Sequence, residues 1–174
     1  MEKEVDISKF GFAPMDIAYL TDDQRTLLKM ELQKDKVNKR FLRILKKFAS
    51  ISKRVEGYTA YLKGYDMDTK AMSWIVGMYS STPPSSREYK YIAEVIKDYT
   101  TVQIWLGNFF SLVNAFNHSL NLRRLSSAEK TLKKLELEIG RGRRIFGKFN
   151  TSLKNLRRAL MEGEKEETSL LYFT

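Results

Sequence analysis

Residues 37–64 read VNKRFLRILKKFASISKRVEGYTAYLKG, and the spacing of their apolar side chains decides the fold class. Val37, Phe41, Ile44, Phe48, Ile51, Val55, Tyr58 and Leu62 follow one another at alternating steps of 4 and 3 residues, up to Gly64. Such steps keep a stripe on one side of an α-helix, whereas a strand would repeat every second residue. Leu27 and Met30 extend the seam backwards across Lys34. The segment opens at Thr21, an N-cap candidate followed by Asp22 and Asp23, whose charges suit a helix N-terminus. The expectation is one long helix from Thr21 to Gly64.

Two further seams of the same period follow. Ile92, Val95, Tyr99, Val102, Leu106, Phe109, Val113, Phe116 and Leu120 form the second, opened by a capping-box pair, Ser85 and Glu88. Tyr91, Ile96, Trp105, Phe110 and Leu112 flank it, so this helix is expected to pack against more than one neighbour. The third runs Ala128, Leu132, Leu135, Ile139, Gly142, Phe146, Phe149, Leu153, Leu156, Leu160, opened by Ser126 and Glu129, with Gly142 as its gap. Residues 65–79 read as a short helix capped by Asp68, with Met72, Ile75, Val76 and Tyr79 on one face and the methionines as core filler. Residues 80–86, SSTPPSS, are the clear loop. The predicted fold is all-α: an elongated bundle of three long heptad-patterned helices plus one short helix. Intermolecular coiled coils would bury the same seams, but aromatics at Phe41, Phe48, Phe146 and Phe149 favour a bundle wider than a two-stranded zipper. The predicted organisation is an N-terminal arm (1–20), the helical bundle (21–161) and an acidic, apolar-tipped tail (162–174).

The net charge of +10 is unevenly placed. Residues 36–63 carry +8 with Glu56 as the only acid, and residues 121–160 carry +9, between acidic ends and a neutral middle. A merely solvated helix face would mix signs, because opposite charges four apart support a helix and like charges repel. The off-seam basic side chains are therefore predicted to bind a polyanion. On the first helix the candidates are Lys36, Lys39, Arg40, Arg43, Lys46, Lys47, Lys53 and Arg54. On the third they are Arg141, Arg143, Arg144, Lys148, Lys154, Arg157 and Arg158, on a stripe that also holds Lys130, Lys133 and Lys134. Arginine forks suit phosphate oxygens. The run Gly140-Arg141-Gly142-Arg143-Arg144 puts two glycines in a helix, at roughly 1 kcal/mol each. A kink, close helix packing or direct nucleic-acid contact could offset that.

With no Cys and one His, His118, no catalytic or metal-binding residue set is expected. The expectation is a non-enzyme with no cofactor and no metal. The start, Met1-Glu2-Lys3-Glu4, is charged and no apolar run follows, so a secretory signal is not expected. Residues 99–122 lack any charge, but Gln103, Asn108, Asn114, Asn117, His118 and Asn121 would be costly in hydrocarbon. Burial against other helices is the better reading, with Trp105, Asn108, Ser111, Asn114 and Ala115 as candidates for an oligomer interface. Thr100, Thr101 and Gly107 share that face. The arm (Val5, Ile7, Phe10, Phe12) and the tail (Glu162 to Phe173) read as docking segments for a neighbouring subunit or protein partner, or as frayed ends.

Asn38-Lys39 ahead of an apolar seam, Tyr61-Leu62-Lys63-Gly64 at a turn, and Thr100-Thr101-Val102-Gln103-Ile104-Trp105 in the next long helix resemble the recombination mediator proteins of T4-type phages. The resemblance covers roughly residues 38–125, and the chain departs from it in its further basic helix and tail. It implies a small, basic helical protein that binds single-stranded DNA as a ring and loads a recombinase. The leading expectation is thus a non-enzymatic nucleic-acid-binding protein, contacting phosphates without reading sequence, homo-oligomeric, and acting in the cytoplasm, or in the host cytoplasm or virion if viral. The alternatives are a virion or other assembly subunit (coat, connector or scaffold) that meets packaged genome, and a protein that lays basic helix faces on anionic lipid.

Overall fold

The computed structural model describes residues 6–64 and 69–171, with side chains for 6–57 and 72–164. Every regular element among the described residues is helical, so the chain is all-α. After a 3-10 turn at Ile7–Phe10 come α1 (Pro14–Ala18), α2 (Asp22–Leu32), α3 (Lys39–Gly64), α4 (Thr69–Ser81), α5 (Arg87–Asn121) and α6 (Leu125–Leu171). The chain divides into two compact units, residues 1–57 with 107–140 and residues 58–106 with 141–174.

The expected helix from Thr21 to Gly64 is two helices. Thr21 does cap α2: its hydroxyl accepts from the Gln24 N–H at 3.3 Å, and its own N–H donates to the Gln24 side chain at 3.1 Å. α2 then stops at Leu32 and α3 starts at Lys39. Side chains stabilise the break by satisfying the backbone groups it exposes. Glu31 accepts from the Asn38 N–H at 2.9 Å, from Lys34 at 2.9 Å and from Arg123 at 2.7 Å. Asn38 Oδ1 accepts from the N–H groups of Arg40 and Phe41 at 3.0 and 3.2 Å, which caps α3. In α2 the buried position falls to Leu28, while Met30 is exposed.

In the first unit the α3 seam is buried at Phe41, Ile44, Phe48 and Ile51, joined by Leu42, Leu45 and Ala49. Phe48 stacks on Phe116 of α5 with ring centres 4.9 Å apart. Gln24 is buried and donates to Asn117 at 2.6 Å, so this amide of the uncharged stretch has a polar partner inside the protein. Phe12 and Leu20, from the segment read as an arm, are buried as well.

In the second unit Ile92, Val95, Val102, Phe146, Phe149, Leu156 and Ala159 are buried, with Met72 and Ile75 from α4. Val76 and Tyr79, expected on the same inner face, are exposed. Asp68, the expected cap, lies outside the described residues. Trp105 also departs from expectation. It is 2% exposed, lies over Gly142 and meets Phe146 edge-on at 5.5 Å, so it is a core residue and not an interface one. A Cβ on Gly142 would stand 2.7 Å from its Cε2. The gap in the third seam is therefore filled by an indole from α5, and α6 passes through Gly140–Arg144 without a break.

The capping boxes are displaced too. α5 begins at Arg87, one residue later than a Ser85 cap would start it. α6 begins at Leu125, so Ser126 and Glu129 lie inside its first turns and bind Arg40 instead of capping.

Candidate nucleic-acid interface

Packing of α6 beside α3 in the first unit brings together two basic rows that are far apart in the chain. Arg43 and Lys47 of α3 and Lys130 and Lys133 of α6 line one groove of about 320 Å³. Its floor includes the buried Ile44 and Leu132, and Ser126, Glu129 and Glu136 complete its lining. Burial of one face of each helix produces this arrangement. With Ile44 and Leu132 turned inward, neighbours a step before or after them on each helix flank the cleft.

Arg40 does not serve the groove as an available cation. Its guanidinium binds Glu129 through two contacts, Nε to Oε1 at 2.9 Å and Nη2 to Oε2 at 2.7 Å, and Nη2 also donates to Ser126 at 3.0 Å. That fork holds the Glu129 carboxyl below its ordinary value, helped by the charges of Arg40, Lys47 and Arg43. Glu129 is thus ionised and already neutralised by Arg40. Arg43, Lys47, Lys130 and Lys133 are all exposed. Like charges this close repel one another, and a bound polyanion relieves that cost.

Lys36, Lys39, Lys53 and Arg54 are exposed on the first unit, and Lys46 is exposed with its Nζ lying near Gly11. In the second unit Arg141, Arg143, Arg144, Lys148, Lys154, Arg157 and Arg158 are all exposed along α6. Lys148 lies 3.3 Å from Asp98, a buried carboxylate that also accepts from Ser152 at 2.5 Å. Lys154, Arg157 and Arg158 share a hollow with Met161 and Glu162, and Glu162 is itself paired with Arg87. Lys130 and Lys133 were legible as members of the third stripe, but their place opposite Arg43 and Lys47 was not.

Of the expected interface residues, Asn108, Ser111, Asn114 and Ala115 are exposed, along with Gly107, Phe110 and His118 on the same helix. Thr100 and Thr101, in the second unit, are exposed as well. Among the described residues there is no cluster of His, Cys, Asp and Glu able to hold a metal ion, and no helix long and apolar enough to cross a membrane. No protein-family model, curated protein or solved structure shows a significant match to the chain.

Proposed function

We propose that this protein is a non-enzymatic nucleic-acid-binding protein that grips phosphates without reading sequence. The groove between α3 and α6 carries the reading. It sets Arg43, Lys47, Lys130 and Lys133 on its two sides, and of its two carboxylates, Glu129 and Glu136, Arg40 neutralises Glu129. Nothing in it resembles a base-reading array, since long cations on helix faces position a backbone and do not discriminate edges. Burial of the α3, α5 and α6 seams inside each unit supports intramolecular helix packing over an intermolecular zipper. The likeness to phage recombination mediators points the same way, to nucleic-acid metabolism in a host cytoplasm.

The test is a fluorescence-anisotropy titration with oligonucleotides of unrelated sequence at several salt concentrations. If about six phosphates are contacted, affinity should fall roughly a thousandfold between 50 and 200 mM salt, because each neutralised phosphate releases counterion. Replacing Arg43, Lys47, Lys130 and Lys133 together with Ala should lower the salt slope by about three to four units and leave helix content unchanged. A salt slope that the four substitutions do not change would refute the groove.

A second reading, an assembly subunit of a virion or similar particle, is favoured by one observation. The exposed face of α5 from Gly107 to His118 carries no charged residue, in a chain that is 30% charged. On that reading the α5 face holds copies together and the basic faces meet packaged genome.

A further inference from the structure

We infer that Trp74 is a base-stacking platform for single-stranded nucleic acid on the second unit, an inference that rests on the nucleic-acid reading above. Of the two tryptophans, Trp105 is enclosed, while Trp74 on α4 is 63% exposed. Its neighbours Met72 and Ile75 are buried, so α4 is anchored and presents the indole outward. The indole borders a hollow of about 380 Å³ on α6, with Leu153, Leu160 and Met161 as apolar walls and Lys154 and Arg157 as its cations. Lys154 and Arg157 also line the adjoining hollow with Arg158, so positive charge continues past the indole. The acid in the Trp74 hollow, Glu164, is itself engaged in an interaction.

This combination matches a nucleotide. A base can lie on the indole face while its phosphates meet Lys154 and Arg157, and every base has a π-face, so no sequence is selected. A duplex keeps its base faces stacked inside and can use only the cations. Stacking on an aromatic face with phosphates on cations is open to DNA and RNA alike.

The experiment titrates the full chain with a short oligodeoxythymidylate and with a duplex of equal length, reading tryptophan emission and anisotropy together. Single strand should quench the emission, and duplex should not. Trp74→Leu should abolish the quench and weaken single-strand binding by about tenfold or more. Its salt slope, duplex affinity and circular dichroism should stay as in the wild type. Trp74→Tyr, which keeps an aromatic face, should restore most of the single-strand affinity. If the oligonucleotide binds with a steep salt slope but without quenching, or if Trp74→Leu binds as the wild type does, the stacking site is refuted and the phosphate-binding reading stands. Failure of both oligonucleotides to bind refutes both. Equal quenching by a polyglutamate peptide would assign the hollow to an acidic peptide and overturn the inference.

Discussion

A methyl group at residue 142 would press into the Trp105 ring, whereas one at residue 140 would meet nothing within 4 Å. Both glycines lie inside α6, where each costs roughly 1 kcal/mol relative to alanine. Gly140→Ala should therefore stabilise the protein by about 0.5–1 kcal/mol. Gly142→Ala should destabilise it by about 1–3 kcal/mol, the range for forcing an extra carbon into a packed core. Urea unfolding followed by circular dichroism separates the two, and a stabilising response at both positions would mean that the indole is not seated on residue 142. Spacing alone placed Gly142 on the seam and Gly140 off it. It did not show that the gap is filled by Trp105, a side chain from another helix whose own position in the pattern read as a flank.

The break between α2 and α3 shows what a heptad pattern hides at the scale of an element. Apolar residues on both sides keep a helical spacing, so Leu27, Met30 and Val37 read as one seam. The helix nonetheless stops, because Glu31 and Asn38 offer the backbone and its neighbours better-placed partners. Arg123, in the turn between α5 and α6, completes the joint. It holds a left-handed backbone at φ 55°, binds Glu31 and lies 4.4 Å from the centre of the Phe41 ring. That backbone conformation is unfavourable for a residue with a Cβ, and the ion pair and ring contact offset it. Burial pushes the Glu31 carboxyl up, but the Lys34 hydrogen bond, the Asn38 N–H and the charges of Arg123 and Lys34 outweigh it and hold the group below its ordinary 4.5. A carboxylate lowered in the folded state contributes stability above its unfolded value, and that contribution is lost as pH falls through the folded one. Glu31→Gln should cost on the order of 1–2 kcal/mol at neutral pH, at the low end for charged hydrogen bonds because Lys34 and Arg123 remain open to solvent. The difference from wild type should shrink as pH drops from about 7 to 3. Urea melts across that range decide it, and a gap that stays constant or widens toward low pH would sink the account.

For the whole molecule, the question is what meets the uncharged face of α5. Gly107, Asn108, Phe110, Ser111, Asn114 and Ala115 are exposed within the chain, and Phe110 keeps 59% of its surface open. Small and amide side chains around one aromatic suit close approach of a second copy, and a lysine there would have to be desolvated or expelled. Asn108→Lys with Ser111→Lys should shift light-scattering mass toward the monomer while circular dichroism keeps its helical signal. A wild-type protein that stays monomeric at high micromolar concentration would rule the interface out. The same substitutions leave the groove of Arg43, Lys47, Lys130 and Lys133 untouched, so nucleic-acid binding by a single copy should survive them.

Local chemistry written along the chain determined the helical class, the buried seam positions of α3, α5 and α6, the Thr21 cap, the proline loop before α5 and the two basic blocks. Each depends on spacing or composition within one segment, and neighbours in the chain are enough to read it. The tertiary structure decided the stop at Leu32, the pairing of Arg40 with Glu129, the grouping of α3 and α6 cations in one groove, and the burial of Trp105 while Trp74 stays exposed. Each of these depends on which distant side chain arrives at a given surface. A periodic pattern specifies the face a helix buries, while the partner that covers it is chosen by packing and by the need to satisfy buried polar groups.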